Sequence, residues 1–337
     1  MAKLRLSFIS AFNERVDPLM NGTVQPEGIE IVPTYSHPSE TFWRQLKFRE
    51  FELGEMSMSS YLIARERGFD LIALPVFPSR RLFHTELSYN TDSGINRPED
   101  ILGKRIGVGE YQQTAALWQR GILEHDFGVS QYKVHWYMER TEELSHGGAT
   151  GFTPPAGISF QRIPPDKSMA SMLVNGELDL AAINSPWKNM PNVIGRSHRI
   201  PGSGGDWNKV KLLFSDRIAE GKRFFQKWSF LPVNHAYTIR GDIYKAHPWV
   251  AFNLYSAFVK AKEHFNASLI DSIPTALFFG REYLAMTQEA FGVDPFPYGV
   301  KANRRMVETL IAFSHEQGLI TRKPDLEELF AESTLGL

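Results

Sequence analysis

The chain reads as an α/β protein of two lobes, with mixed, mostly parallel sheets and a helical C-terminal segment. Three observations carry this. Short apolar runs alternate with helix-patterned stretches through residues 4–80 and again through 105–183, the mark of β-α-β units and parallel strands. Two corners, FREFEL at 48–53 and VNGELDL at 174–180, each end a helix, place an acid and start a short strand, which suggests two similar lobes. After Gly241 the strand patterns give way to long helical ones.

Residues 4–9 alternate apolar and polar as a first strand, and Asn13, Glu14 and Arg15 lie in the turn that follows. Residues 29–32 form a second strand after Pro26-Glu27-Gly28. Residues 39–49 read as a helix, with Phe42, Leu46 and Arg49 on one stripe. A very short strand over 53–56 runs into Ser57, Ser59 and Ser60, ahead of a helix over 61–67. Residues 71–76 are a buried strand that Phe77-Pro78-Ser79-Arg80 ends, and 84–90 leave the sheet as an extended segment.

A new series begins at 105–108. Gly107 and Gly109 allow a tight turn, Glu110, Tyr111, Gln112 and Gln113 fill it, and Thr114 is placed to cap a helix through Ala115, Trp118 and Ile122. Strands follow at 133–137 and 158–163, separated by a loose loop over 139–157. Ser168 caps a helix ending at Gly176, and a strand over 178–183 leads into Asn184-Ser185-Pro186-Trp187. Residues 206–228 read as a helix broken near Glu220-Gly221, and 233–240 are extended and carry His235. Helices over 248–265, 303–316 and 325–330 should pack back on the first lobe. The expected division is 1–88 plus 238–337 for lobe 1 and 89–237 for lobe 2, with a ligand cleft between them.

Composition narrows the function. The formal net charge is −1 and the charges are dispersed, so neither nucleic acid nor an anionic membrane is an expected partner. The absence of cysteine removes disulfides, thiolate nucleophiles and Cys-based metal centres. No run approaches the ~18 apolar residues of a membrane helix, and the N-terminus lacks a signal-peptide pattern, so a cytoplasmic protein is expected. No P-loop or dinucleotide fingerprint is present. The turn at 109–114 is the favoured ligand position, because helix N-termini at strand carboxyl ends present N–H groups to anions.

Three stretches resemble the 4,5-dihydroxyphthalate decarboxylase family: FWRQLKFREFELGEMSMSSY at 42–61, VFPSRRLFH at 76–84 and GVGEYQQTAALWQRG at 107–121. Weaker matches at 21–29, 247–250 and 314–319 extend the likeness nearly end to end. The chain departs from the family at 12–15, where only Glu14 and Arg15 match, in the 139–157 loop, and at 184–187. The resemblance implies the two-lobed architecture of type II periplasmic solute-binding proteins. It also implies a carboxy-lyase that converts a dihydroxylated aromatic dicarboxylate to protocatechuate and CO₂ without an organic cofactor.

Such chemistry needs a proton delivered to the ring carbon that loses its carboxylate. His84 and His235, both on the expected inter-lobe segments, are the candidates for that transfer, and Glu110 for acid–base work. Arg15 and Arg80 are candidates to hold carboxylates. Glu55, Ser57, Ser59, Tyr111, Gln112 and Thr114 are candidates for further substrate contacts. A divalent metal on His84, His235 and Glu55 or Glu110 is a minor option with no supporting spacing. The partner is a small aromatic carboxylate, and a homo-oligomer is left open. The alternative function is a non-catalytic small-carboxylate solute-binding protein, since the same architecture serves both.

Overall fold

The computed structural model describes residues 3–183 and 205–337. Strands β1 (Leu4–Ser10), β2 (Ile29–Tyr35), β3 (Leu53–Ser57) and β4 (Leu71–Arg80) build a first sheet. The chain then forms β5 (Ser88–Asn90), β6 (Arg105–Val108), β7 (His135–Met138), β8 (Ser159–Arg162), β9 (Leu180–Ala181) and β10 (Val210–Leu212) of a second sheet. It returns to the first with β11 (Val233–Arg240). The sheet orders are β2-β1-β3-β11-β4 and β10-β5-β9-β6-β7-β8. Strand β1 runs parallel to β2 and β3, whereas β11 inserts antiparallel between β3 and β4. In the second sheet β6, β7, β8 and β9 are parallel, and β5 pairs antiparallel with β9 on one side and β10 on the other.

Alternation in β1 puts Leu6 and Phe8 into a core with Tyr237 of β11 and with Leu254 and Phe258 of the helix Trp249–Ala267. Strand β3 is buried along its whole length, as expected of a central strand with both faces covered. The two corner motifs do the same job in each sheet. Glu52 accepts the backbone N–H of Ser7 at 2.9 Å, and Asp179 accepts that of Arg105 at 2.8 Å, so each acid ties its corner to the neighbouring parallel strand.

Several expectations change. Strand β11, which spans the expected boundary at 237/238, pairs in the first sheet, and β5, which spans 88/89, pairs in the second. Residues 206–228 form a short strand, β10, and then the helix Arg217–Trp228, which runs unbroken through Glu220-Gly221 because a lone helical glycine costs too little to end it. The 139–157 loop contains a short helix, His146–Thr150, capped by Ser145. Thr114 lies inside the helix Thr114–Phe127, whose N-cap is Gln113. Asn184-Ser185-Pro186-Trp187 lie outside the described residues.

The C-terminal helices do not pack on the first lobe alone. Trp249–Ala267 does, but Val300–Glu316 lies against Thr114–Phe127, where Phe313 meets Trp118 with ring centroids 5.6 Å apart. Gly121 makes this approach feasible, since a Cβ there would stand 2.1 Å from the Phe313 ring. One apolar core therefore runs through both lobes, joining Met56 and Tyr61 to Val108, Trp118 and Leu310. Among the described residues no helix is long and apolar enough to cross a membrane.

Candidate active site

The carboxyl ends of the parallel strands of both sheets converge, and the polar side chains cluster there. Ala11 follows β1, His37 follows β2, Glu55 and Ser57 end β3, Glu110 follows β6 and Arg140 follows β7. His235 joins them from β11, paired in register with Ser57.

Two acid-centred networks face each other across the lobes. In the first, Glu55 accepts a 2.5 Å hydrogen bond from His235 Nδ1 and others from the Ala11 N–H at 3.0 Å and Ser10 Oγ at 3.3 Å. Burial alone would raise the Glu55 pKa, but His235 and these hydrogen bonds outweigh it and hold the carboxyl below its ordinary range. With Nδ1 committed to a carboxylate, Nε2 is the nitrogen left for chemistry, and no hydrogen bond to it is found among the described residues. The ring edge rests on Phe42, centroids 4.6 Å apart.

In the second network Glu110 is wholly buried. Its oxygens accept from Arg140 Nη1 at 2.5 Å, the N–H groups of His146 and Gly147 at 3.0 and 3.3 Å, and Gln112 Nε2. Burial pushes its pKa up, yet the hydrogen bond from the His146 N–H and the Arg140 guanidinium bring it below the ordinary value. His146 is driven down to about 4, by burial first and then by Arg140 against the pull of Glu110, so it is neutral at pH 7.

Ser39, in the first turn of the helix Pro38–Phe48, links the networks. Its Oγ accepts from Arg140 Nη2 at 2.6 Å, its carbonyl from His146 Nε2 at 3.1 Å, and its N–H donates to His37 Nδ1 at 3.2 Å. Phe42, on the same helix, touches the His146 ring as well as that of His235. A second inter-lobe seam joins Ser57 Oγ to Thr114 Oγ1 at 2.8 Å, the Ser59 N–H to Thr114 Oγ1 at 3.1 Å, and Ser59 Oγ to the Gln112 carbonyl.

Comparison with known proteins gives two levels of likeness. No family model matches the chain. A 4,5-dihydroxyphthalate decarboxylase from Comamonas testosteroni is 31% identical over 338 residues, spanning 99% of this chain and 98% of that protein. The chain belongs to the 4,5-dihydroxyphthalate decarboxylase family. A second member, from Pseudomonas putida, is 35% identical over 219 residues, covering 62% of this chain and 83% of that one. In fold, this family member is similar to periplasmic aliphatic sulphonate-binding proteins. The one from Escherichia coli superposes with a TM-score of 0.53 at 13% identity over the whole of both chains. That from Methylobacillus flagellatus KT gives 0.53 at 13% over all of this chain and 94% of the other. The two-lobed type II architecture is thus established.

The sequence-derived site residues of this decarboxylase-family chain separate into groups. Glu55, His235, Ser57, Ser59, Thr114, Glu110 and Gln112 meet where the strand ends converge. Both Glu110 oxygens are saturated by donors, which leaves it holding the loop rather than moving protons. Tyr111 points into the second lobe, donating its hydroxyl to Gln131 at 2.5 Å beneath the Arg120 guanidinium. Arg80 is buried, and its donors go to the carbonyls of Leu231 and Pro297 and to Asn303, while burial pulls its pKa down to about 10. Arg15 is half-buried, donating to the Pro78 carbonyl at 2.8 Å with its guanidinium over Phe296.

His84 lies elsewhere. It is fully buried between Phe214 and Phe224, with Nε2 2.7 Å from Glu220 Oε1, and Glu220 is held in turn by Arg223. Its neighbours Leu82 and Thr85 line a separate open concavity of about 700 Å³ beside the helices Arg217–Trp228 and Gly280–Phe291. The metal set drawn from His84, His235 and Glu55 or Glu110 is therefore not assembled, and no group of three His, Asp or Glu among the described residues is placed to hold an ion. Replacing His84 by Ala is expected to cost about 2–4 kcal/mol by emptying a core position and stripping Glu220 of a partner. Turnover of the folded fraction should stay near wild type; thermal melting and kcat on one preparation separate the two effects.

Sequence reasoning missed His37, Ser39, Phe42, Arg140 and His146. His37-Pro38-Ser39 did carry a helix-start signal, with Pro at the first helical position. Arg140 carried none, because it sits in an irregular stretch held by its contact with the other lobe, and His146 had only the capping Ser145 before a five-residue helix.

Proposed function

We propose that this protein is a carboxy-lyase acting on a dihydroxylated aromatic dicarboxylate such as 4,5-dihydroxyphthalate, releasing CO₂ and protocatechuate. The observation that carries the reading is the buried Glu55–His235 pair, at 2.5 Å, with Nε2 unengaged among the described residues where the strand ends of both sheets meet. The names and extent of the related proteins support it.

The chemistry asks for little else. Protonated Nε2 of His235 delivers its proton to the ring carbon that bears the departing carboxylate. A hydroxyl para to that carbon supplies electron density as the proton arrives. The carbon–carboxyl bond then breaks, its electron pair returns to the ring, and CO₂ leaves. One proton is consumed per CO₂ released, and solvent reloads His235. Glu55 is a positioning residue: it fixes the ring by Nδ1 and stabilises the imidazolium, so that the proton sits on the nitrogen facing the substrate. Phe42 and the closed seams at Ser39 and Ser57 keep water from the ring carbon.

The deciding experiment mixes purified protein with 4,5-dihydroxyphthalate, without added organic cofactor, and follows CO₂ and protocatechuate together. Stoichiometric release of both supports the lyase. Recovery of tightly bound, unchanged dicarboxylate after long incubation would instead favour a solute-binding role.

A further inference from the structure

Two N–H donors beside the Glu55 and Glu110 networks have no assigned task, and both residues bond Ser39. His37 caps the helix Pro38–Phe48 in an unusual way: its Nδ1 accepts the Ser39 N–H, which obliges the neutral ring to carry its proton on Nε2. The ring is only partly buried, and no hydrogen bond from Nε2 is found among the described residues. Across the lobe boundary, Arg140 spends Nη1 on Glu110 and Nη2 on Ser39 Oγ, yet its Nε–H is buried without a partner among the described residues, and the residue is only 8% exposed. An unsatisfied guanidinium N–H at that depth is costly unless something fills it. Burial first, then Arg140 and His235, lowers the His37 pKa, while Glu55 opposes them; these groups share one electrostatic neighbourhood. The N-terminus of an eleven-residue helix adds partial positive charge at the same place.

We propose, resting on the decarboxylase reading above, that His37 Nε2–H and Arg140 Nε–H together anchor the carboxylate that the substrate keeps. Two donors, one from each lobe, match the two oxygens of a carboxylate. In an ortho-dicarboxylate the retained group sits on the ring carbon next to the one that is protonated. Anchoring it beside His235 therefore presents the departing carboxylate's carbon to Nε2. Arg80 and Arg15 also keep an Nε–H without a partner among the described residues, but their other donors go to Leu231, Pro297, Asn303 and Pro78, whereas Arg140 alone of the three bonds Ser39, the residue that His37 caps. The site thus favours rings that carry a carboxylate beside the carbon to be protonated.

The test uses unreactive probes, phthalate and the carboxylate-free catechol, whose affinities for the full-length protein are measured by titration calorimetry. Wild type should prefer phthalate. His37→Asn keeps a helix-capping side chain and removes the long-reach donor, so its melting temperature should stay close to wild type. It should weaken phthalate binding about tenfold, the loss of one charge-assisted hydrogen bond, and leave catechol binding unchanged. Equal weakening of both probes, or of neither, overturns the anchor. The outcome is independent of turnover. A variant with the expected affinities in a protein that releases no CO₂ would retain the anion site and sink the lyase, and unchanged phthalate binding in an active enzyme would do the reverse.

Discussion

Exchanging His235 for Gln is expected to lower kcat by about 10³-fold, within the range that removal of a positioned general acid produces. KM should change little, because the anchoring of the substrate lies elsewhere. The side chain reaches its place by register. His235 sits opposite Ser57 on the strand that inserts antiparallel beside β3, and Glu55, two residues back on β3, takes Nδ1 at 2.5 Å. Gln can still donate to Glu55, so the buried carboxylate keeps a partner and the fold should survive, but it has no transferable proton. Stopped-flow or CO₂-electrode assays on protein of unchanged circular dichroism would check this. A variant retaining more than about a tenth of wild-type kcat is incompatible with His235 as the proton donor.

Replacing Glu110 by Gln is expected to destabilise the protein by about 3 kcal/mol, because it leaves the buried Arg140 guanidinium without its counter-charge. The pH dependence follows from the direction of the shifts. The folded-state pKa of Glu110 lies below its ordinary 4.5, so the ionised group adds stability that is fully present above that value and disappears as pH falls through the folded pKa. His146 works in a higher window. Its folded pKa of about 4 lies below the free value of 6.5, so stability falls as pH drops from 6.5 toward 4, where only the unfolded chain takes up the proton. Chemical denaturation at pH 7, 5 and 3.5 should show wild type losing stability over both windows. The Gln variant should start lower and lose less below pH 4.5. An identical slope in the two proteins there would mean that Glu110 titrates alike in the folded and unfolded chains.

The contrast between His84 and His235 shows how far local pattern reaches. Both are lone histidines on segments that pass between lobes, and both looked alike as proton donors. The helix Arg217–Trp228 brings Glu220 and Phe224 over His84 and seals it in the core. No spacing in the chain announces that closure, which joins residues 136 positions apart. Tyr111 and Arg80 miscarried for the same reason. Each lies next to a strand end, where ligands bind, but the side chain turns inward to Gln131 in one case and to Asn303 in the other. Conversely, Arg140 and His146 were hidden because a Gly-rich loop has no periodicity, and its shape depends on a carboxylate 30 residues upstream.

By itself the sequence determined the alternation of strands and helices, the two lobes, the family, and the positions where chains of this pattern place polar residues at strand ends. Those follow from apolar periodicity, glycine and proline placement, and the acids at the two corners, all of which act over a few residues. Only the tertiary structure decided which histidine lies where the strand ends of both sheets meet, which arginines keep a donor without a partner among the described residues, and that the core continues from one lobe into the other. Those outcomes depend on contacts between segments far apart in the chain, where burial and the choice of hydrogen-bond partner set a side chain's chemistry more strongly than its neighbours in sequence do.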